Sequence, residues 1–397
     1  MHPFTAVFGA ALGVVFAAPR LTAQQSAFTT PGMPTSRSSG QTDRFSNEFN
    51  PAIGAVIDAV ADWRDPDGGE DGFDATLRAL EIGINGRVDP DWWAYAVVVA
   101  EEDEIGVEEA AAHYLGIGGN TTLRFGKFFA DFGKQMQVHI HDLPYLDRPD
   151  VLAEYLGEEL PGVGAQIDHW WATGDASALR VSFGVFADLG GEHEDEGGSP
   201  VETVLADRRG LGDLAFTGRV TQFFDVGENG VLQWGLSARH LGDFSFEDEE
   251  DGLEATGLSN TVYGADLTYG WTDASGLSGW TFGGEFLVDD GDLSAEPNGG
   301  LTALDVFDDS VSGWYAWGER RFDAYNSVGA VLGGFEHPEP GTPRDFRVTG
   351  FYTRNLSEFA RLRLSVGQLD SDEGGDETQV ALQLTTFFGP HSHGVNW

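Results

Sequence analysis

From residue 49 onward, apolar and polar residues alternate with a period of two, which is the period of a β-strand. In the first such segment, Ile53, Ile57 and Trp63 share one face, while Asp58 and Asp62 share the other. Similar segments recur as far as residue 388, and most are near the roughly 9 to 11 residues with which a tilted strand crosses a bilayer. The pattern predicts an all-β fold. The predicted strands are 53–64, 80–88, 93–99, 107–116, 121–129, 162–171, 178–188, 211–224, 230–241, 259–272, 278–290, 310–322, 327–336, 345–355, 359–370 and 377–388.

The connections between these segments alternate between short and long, as in outer-membrane barrels with short periplasmic turns and long external loops. A sheet of about 16 strands closes into a barrel whose interior is too wide for side chains to fill, so the apolar face must meet lipid. We therefore expect a transmembrane antiparallel β-barrel of about 16 strands, with 14 or 18 as alternatives. The long segments are 130–161, 189–210, 242–258, 291–309, 337–344 and 371–376.

The N-terminal region differs from the rest of the chain. Residues 4–18, FTAVFGAALGVVFAA, form an apolar run of the length of a signal-peptide core. Cleavage after Ala23 fits its small side chain, so we interpret 1–23 as a signal peptide. Residues 24–48 are polar and rich in Ser, Thr and Gly, which indicates a flexible lead-in to a barrel over 49–397.

Composition narrows the classes of function. The chain of 397 residues carries 65 acidic and 22 basic residues, a net charge of −43, which excludes a nucleic-acid binder. The acidic charge has two interpretations, a surface adapted to strong brine in a halophile or a preference for cations. There is no cysteine, which excludes disulfides and thiolate metal sites. We find no nucleophile–base motif and predict that the protein is not an enzyme.

About 70 residues of the chain carry specific motifs, which are VEEA at 107–110, LRFGKF at 123–128, DFG at 131–133, YLDRP at 145–149, GVGAQ at 162–166 and GPHSH at 389–393. The chain resembles the phosphate-selective porin O and P family and, more closely, the porin-like proteins labelled zinc-regulated outer-membrane receptors. That resemblance implies a 16-stranded barrel whose third external loop, here 130–161, folds into the pore. Phosphate selectivity does not follow, since Lys127 and Lys134 are the only lysines in the chain.

The long segment 130–161 and the polar faces of the strands predict opposite charges across a pore. A basic wall facing an acidic loop would orient solutes, and the excess of acid would favour cations. The alternative is that the loop charges pair locally and hold the loop in place. The predicted constriction residues are Lys127, Asp131, Lys134, Asp142, Asp147, Arg148, Asp150, Glu154, Glu158 and Glu159. The predicted basic wall consists of Arg87, Arg219, Arg239, Arg361 and Arg363.

His139 and His141 point to the same side if their segment is extended, and Asp142 follows them. Imidazole and carboxylate groups suit Zn²⁺, so these three residues are candidate zinc ligands. The alternative is a hydrogen-bonded pair that braces the loop.

The sequence thus predicts an outer-membrane channel for passive diffusion of small hydrophilic solutes or ions. A metal-ion uptake channel and a non-conducting structural or adhesive barrel are the alternatives. The expected partners are membrane lipid and the barrel-insertion machinery, which would read Trp397, and porins by analogy suggest a homotrimer.

Overall fold

The computed structural model describes residues 51–389, apart from 68, 70, 102–104, 158, 191–200, 206–209, 211, 249–250, 299–301 and 373. The predicted signal peptide, the lead-in, Glu158 and Trp397 lie outside these residues.

The described residues form one antiparallel sheet of seventeen strands that closes on itself, because β1 pairs with both β2 and β17. The short strand β8 pairs with β10 beyond the point where β9 ends. The other sixteen strands make the barrel wall, which confirms the predicted fold. The strands are β1 (Ala52–Pro66), β2 (Gly72–Arg87), β3 (Trp92–Ala100), β4 (Ile105–Tyr114), β5 (Thr121–Phe129), β6 (Pro161–Gly174), β7 (Ser177–Leu189), β8 (Val201–Leu205), β9 (Ala215–Val226), β10 (Gly230–Asp248), β11 (Leu253–Thr272), β12 (Gly279–Pro297), β13 (Leu304–Arg321), β14 (Asn326–Glu336), β15 (Arg344–Ser357), β16 (Ala360–Ser371) and β17 (Glu377–Phe388).

The barrel is apolar outside and polar inside, the reverse of a water-soluble barrel. On β16, Leu364 and Val366 point outward and are 46% and 51% exposed, while Arg363 and Ser365 point inward and are buried. An outward apolar band matches the hydrocarbon layer of a bilayer, and closure pairs the backbone groups of the wall. The alternation read from the sequence therefore has its apolar face toward lipid.

Two of the predicted long loops are largely strand, so that part of the prediction is wrong. Residues 242–258 and 291–309 continue the hairpins β10–β11 and β12–β13 beyond their predicted ends. The reason is packing, because Phe244, Phe246 and Leu258 are buried in the cluster that also contains Val201 of β8. The acidic residues between these apolar positions obscured their alternation. Strand β2 likewise begins at Gly72, eight residues before the first predicted residue, Leu80.

Loop 3, residues 130–160, connects β5 to β6 and is the third connection at its end of the barrel, after 67–71 and 101–104. It contains a 3₁₀ turn at Ile140–Asp142 and the helix α1 at Asp150–Leu156. Phe132, Met136, Leu143 and Tyr145 of the loop are fully buried. Loop 3 therefore packs as a second layer inside the wall.

Among the described residues, no helix combines the length and apolar character that crossing a membrane requires.

Candidate pore loop and lumen wall

The ends of loop 3 are held together, so the loop leaves and rejoins the wall at one place. The backbone N–H of Ala130 donates to the carbonyl of Leu160 at 2.9 Å. Just before this point, Gly126 of β5 has a φ of +127°, and a Cβ there would lie 2.1 Å from the carbonyl oxygen of Ala110. Glycine is thus required where β5 approaches β4 and turns toward loop 3.

The Asp131-Phe132-Gly133 segment anchors the start of the loop. The Asp131 carboxylate lies 2.7 Å from Nη2 of Arg180 and 3.6 Å from Nε of Arg219. Gly133 has a φ of +54°, and its N–H donates to Oγ of Ser237 at 3.0 Å. These contacts join the loop to β7, β9 and β10.

The next residues extend this anchor to β12. The backbone N–H groups of Lys134 and Gln135 both donate to Oε1 of Glu285, at 2.8 and 3.1 Å. Nζ of Lys134 donates to Oε1 of Gln233 at 3.1 Å. The predicted constriction residue Lys134 is therefore bound to the wall. Burial and the charge of Arg219 lower the pKa of Lys134 to about 8.

Four carboxylates and two imidazoles meet where the loop passes β2 and β4. His139 Nδ1 lies 3.0 Å from Glu108 Oε1 and 3.5 Å from Glu81 Oε2, and its Nε2 lies 3.0 Å from Glu109 Oε1. His141 Nδ1 lies 2.6 Å from the other oxygen of Glu81, and its Nε2 lies 3.7 Å from Oδ1 of Asp142. This is the place where the loop could hold a metal ion.

The carboxylates change the proton affinity of both rings. Burial alone would lower the pKa of His139, but the charges of Glu108 and Glu81 outweigh it and raise that pKa well above its ordinary value. Burial also opposes protonation of His141, and Glu81 and Asp142 raise its pKa. The effect of the neighbouring carboxylates on both rings is therefore opposite to the effect of burial.

Two wall arginines bind the middle of the loop through its backbone. Arg363 donates to the carbonyls of Tyr145 and Leu143, at 2.5 and 2.8 Å. Arg361 donates to the carbonyl of His141. These guanidinium groups use their directed donors on peptide groups, which holds the loop in place.

Asp147 is the most exposed of the described acidic residues in the loop, and 52% of its side chain is accessible. It lies 3.2 Å from Nη1 of Arg78 on β2. The side chain of Asp142, in contrast, is 12% accessible. Arg148 turns back into the loop and donates to the carbonyls of Gln135 and Val138 at 2.6 and 2.8 Å.

Helix α1 carries the last part of the loop to the far wall. Asp150 lies 2.8 Å from Nε of Arg347, and the Tyr155 hydroxyl donates to the carbonyl of Glu336 at 2.7 Å. Glu154 lies 3.2 Å from Nδ1 of His337. The hydrogen bond to Glu154 is the main cause that raises the pKa of His337 to about 9.

The structure brings most of the predicted residues together at loop 3, but not all of them. Lys127 lies opposite the exposed residues Val163 and Ala110, so it shares the outward face. Arg87 is exposed at the opposite rim from the loop, at the end of β2. Glu159 lies 3.7 Å from Arg148. Arg239 donates to the carbonyl of Tyr155.

Several residues at the loop were missed by sequence reasoning. They share a position on the inward face of a strand, which alternation indicates for each strand separately, except for Glu108, which is turned inward by an irregularity in β4. Alternation gives no register between distant strands, so it does not say which inward residues face one another. The missed residues are Glu81, Glu108, Glu109, Arg78, Arg180, Asp266, Glu285 and Arg347.

No family model matches the chain. An uncharacterized protein of Aquifex aeolicus (strain VF5) is 28% identical over 314 residues, 74% of this chain. The chain spans 63% of that relative's length, less than two-thirds. The resemblance to phosphate-selective porins and zinc-regulated receptors therefore stays a prediction.

Solved structures show the same fold at low sequence identity. The high-pH structure of Pseudomonas putida OprB has a TM-score of 0.54 and 10% sequence identity, and the match covers 91% of this chain and 100% of that one. A loop L8 deletion mutant of OmpT, an outer membrane protein of Vibrio cholerae, has a TM-score of 0.53 and 9% identity over 85% and 99%. The outer membrane channel DcaP of Acinetobacter baumannii has a TM-score of 0.51 and 12% identity over 85% and 96%. The chain therefore has the barrel fold of outer-membrane porins.

Proposed function

We propose that the protein is an outer-membrane channel for passive diffusion of small hydrophilic solutes or ions. The observation that carries this proposal is the closed sixteen-strand wall with an apolar outside and a polar inside. A barrel of this strand number is wide enough to enclose an aqueous path, whereas a barrel of eight strands is filled by its own side chains. The channel that DcaP forms in its own organism is consistent with this assignment.

Loop 3 is the element that narrows the path in this proposal. Its hydrogen bonds reach β7, β10, β12, β14 and β16, which are spread around the wall. A loop held on so many sides occupies the lumen at one level and leaves the remaining cross-section for solutes. Its position is supported by hydrogen bonds from the buried side chains of Arg361 and Arg363 to loop carbonyls.

The path prefers cations in this proposal, and Asp147 carries most of that preference within the loop. Arg219 is paired with Asp266 at 2.6 Å, and Arg363 is bound to loop carbonyls, so the predicted basic wall presents little free positive charge. Asp147 is exposed, and Asp142 is not. An exposed carboxylate at a narrow point attracts cations and repels anions.

The test is the conductance of the purified full-length protein in planar bilayers. We expect stepwise current increments as single barrels insert. Because the chain has no cysteine, Asp147→Cys places one thiol at the proposed narrow point. The unmodified protein has no thiol, so a negatively charged thiol reagent should leave its current unchanged. A bulky neutral thiol reagent should react with the Asp147→Cys variant and reduce its conductance.

A second candidate function is a non-conducting structural barrel. It is favoured by the fully buried loop side chains Phe132, Leu143 and Tyr145, which fill part of the lumen. Absence of current under all voltages and salts, from protein that is correctly folded, would select this candidate and reject the channel. An assembly of three barrels is compatible with either function; one similar structure, OmpT of Vibrio cholerae, is described in a trimer form.

A further inference from the structure

We propose that Glu81, Glu108 and His139 form a binding site for a zinc-like divalent cation that joins loop 3 to the barrel wall. Each residue contributes one ligand atom, and these atoms lie within 4.8 Å of one another. Two of the residues come from the strands β2 and β4, and the third comes from the loop. The site differs from the predicted set of His139, His141 and Asp142, of which it keeps only His139.

The imidazole of His139 is oriented for metal binding. Its Nε2 lies 3.0 Å from Oε1 of Glu109, which accepts the proton of that nitrogen. The other oxygen of Glu109 accepts from the Tyr95 hydroxyl at 2.6 Å, so this carboxylate is itself held in place. A carboxylate on the outer nitrogen of a ligating histidine fixes the tautomer and raises the basicity of the inner nitrogen. Nδ1 of His139 is thereby directed at Glu81 and Glu108.

Glu81 is also oriented by a neighbour. His141 Nδ1 donates to Oε1 of Glu81 at 2.6 Å, which leaves Oε2 toward His139. In this arrangement His141 is a positioning residue that holds a ligand. This role explains why His141 is buried beside the site although it is not one of the three proposed ligands.

Glu108 reaches the site because of an irregularity in β4. The pairing of β3 with β4 skips one residue, since Val97 lies opposite Glu109 and Val98 lies opposite Val107. In a regular strand, Glu108 and Glu109 would point to opposite faces. The bulge instead turns Glu108 inward beside Glu109. Bulges commonly redirect a side chain next to a functional site.

The distances suit one small ion. Ligand atoms around a tetrahedral zinc, at about 2.0–2.2 Å from the metal, lie about 3.3–3.6 Å from each other. Nδ1 of His139 lies 3.0 Å from Oε1 of Glu108 and 3.5 Å from Oε2 of Glu81. Imidazole with carboxylates is a donor set that binds zinc, and three protein ligands leave a fourth position for water.

The charge of the cluster also calls for a cation. Glu81, Glu108 and Glu109 bring three carboxylates to a site where His139 and His141 are buried with them. Oε2 of Glu108 is buried and has no hydrogen-bond partner among the described residues. A divalent ion bound between Nδ1 of His139, Glu81 and Glu108 would supply positive charge next to this oxygen. Buried carboxylates are otherwise costly unless they are paired.

The test uses the folded full-length barrel in detergent, stripped of metal by a chelator and titrated with ZnCl₂ in a calorimeter. The titration is run in 1 M NaCl, because salt screens weak cation binding to an acidic surface. We expect one Zn²⁺ per chain. Glu108→Gln removes one ligand charge at constant shape and should weaken binding at least tenfold, the scale on which even outer-shell partners act.

His337 provides a matched control. It is also flanked by two carboxylates, but Glu154 lies at Nδ1 and Asp345 at Nε2, so the three groups cannot converge on one ion. His337→Gln should leave the affinity for Zn²⁺ unchanged. Equal binding by the Glu108→Gln variant, or no saturable binding by the unmodified protein, would overturn the proposal.

X-ray absorption of the unmodified zinc-loaded protein keeps the proposal testable if Glu108→Gln fails to fold. We expect one imidazole nitrogen and otherwise oxygen ligands around zinc. A shell with two imidazoles would reject the assignment and favour joint ligation by His139 and His141. The site is independent of the proposed channel function, because a non-conducting barrel could hold the same ion.

Discussion

Individual arginines of the wall decide where loop 3 lies. Arg363 is fully buried and donates to two loop carbonyls and to Oε1 of Gln383, the last at 2.8 Å. A guanidinium group has five donors in a fixed plane, so it can bind several carbonyls at once where a lysine could not. The loop is thus positioned through peptide groups whose chemistry is independent of the loop sequence.

Replacing Arg363 should therefore release the loop from the wall. Arg363→Gln leaves the carbonyls of Leu143 and Tyr145 without their donor, and each buried unpaired carbonyl costs about 1–3 kcal/mol. We expect faster proteolytic cleavage within loop 3 and a lower melting temperature. Arg354→Gln, at an exposed arginine on β15, is the control and should change neither. Equal protease resistance of both variants would contradict this role.

His337 links helix α1 to the end of β14 in a pH-dependent way. Its partners Glu154 and Asp345 raise its pKa from about 6.5 to about 9, so folding favours the protonated ring. This stabilisation is fully present below pH 6.5 and is lost as the pH rises through about 9. The melting temperatures of unmodified protein and His337→Gln should therefore differ most at pH 6 and converge above pH 9. A difference that grows with pH would contradict the assignment.

The residues of the candidate metal site illustrate a limit of sequence reading. The His-x-His pattern drew attention to His139, and alternation places Glu81 on an inward face. Glu108 could not be found this way, because it faces inward only through the bulge in β4. The meeting of β2, β4 and loop 3 also depends on pairing between distant segments, which a single sequence does not specify.

At the level of elements, alternation was the reliable signal and loop composition was not. Each of the sixteen wall strands overlaps a predicted strand, since lipid on one side and polar lumen on the other impose the period of two. The hairpin extensions of β10 to β13 were missed because acidic residues are interspersed among their apolar positions, which obscured the period of two. The motifs DFG and YLDRP were read as one inward loop, and their residues do line the lumen wall.

The lipid-facing assignment of these strands predicts a cost that depends on depth. Val366 lies in the middle of β16, and Leu356 lies beside the turn after β15; both are exposed on the outside. Val366→Arg should reduce the free energy of unfolding in lipid vesicles by about 2–4 kcal/mol. Leu356→Arg should reduce it by about 0–1 kcal/mol. Denaturant titration of vesicle-bound protein measures both. Equal costs at the two positions would argue against a bilayer around this face.

At the scale of the whole molecule, the chain has a net charge of −43, but many charged side chains inside the barrel are neutralised by ion pairs with one another. Most wall arginines have partners in the loop or on the neighbouring strands, as Arg180 does with Asp131 and Asp168. Selectivity should then come from exposed acids rather than from a field between two opposed walls. The transverse field remains a prediction, and the contacts of Arg180 and Arg219 favour its alternative, in which the loop charges pair locally.

Two neighbouring acids of the loop separate these accounts. Asp147→Asn should reduce the preference for cations, because its carboxylate is exposed, and Asp142→Asn should change it much less. The permeability ratio of potassium to chloride, measured for each variant in bilayers, gives the comparison. If the two variants lowered the ratio equally, exposure would not be what determines the selectivity.

The central claim is that this barrel is a cation-preferring channel narrowed by loop 3, and a single-channel reversal potential tests it most directly. With 0.1 M KCl on one side of the bilayer and 1 M KCl on the other, we predict that the unmodified protein gives stepwise currents. Their reversal potential should have the sign expected of a channel that is more permeable to K⁺ than to Cl⁻. The preference should weaken when both concentrations are raised, because the Debye length falls from about 10 Å at 0.1 M to about 3 Å at 1 M. A reversal potential on the anion side at low salt, or folded barrels that never conduct, would contradict the account.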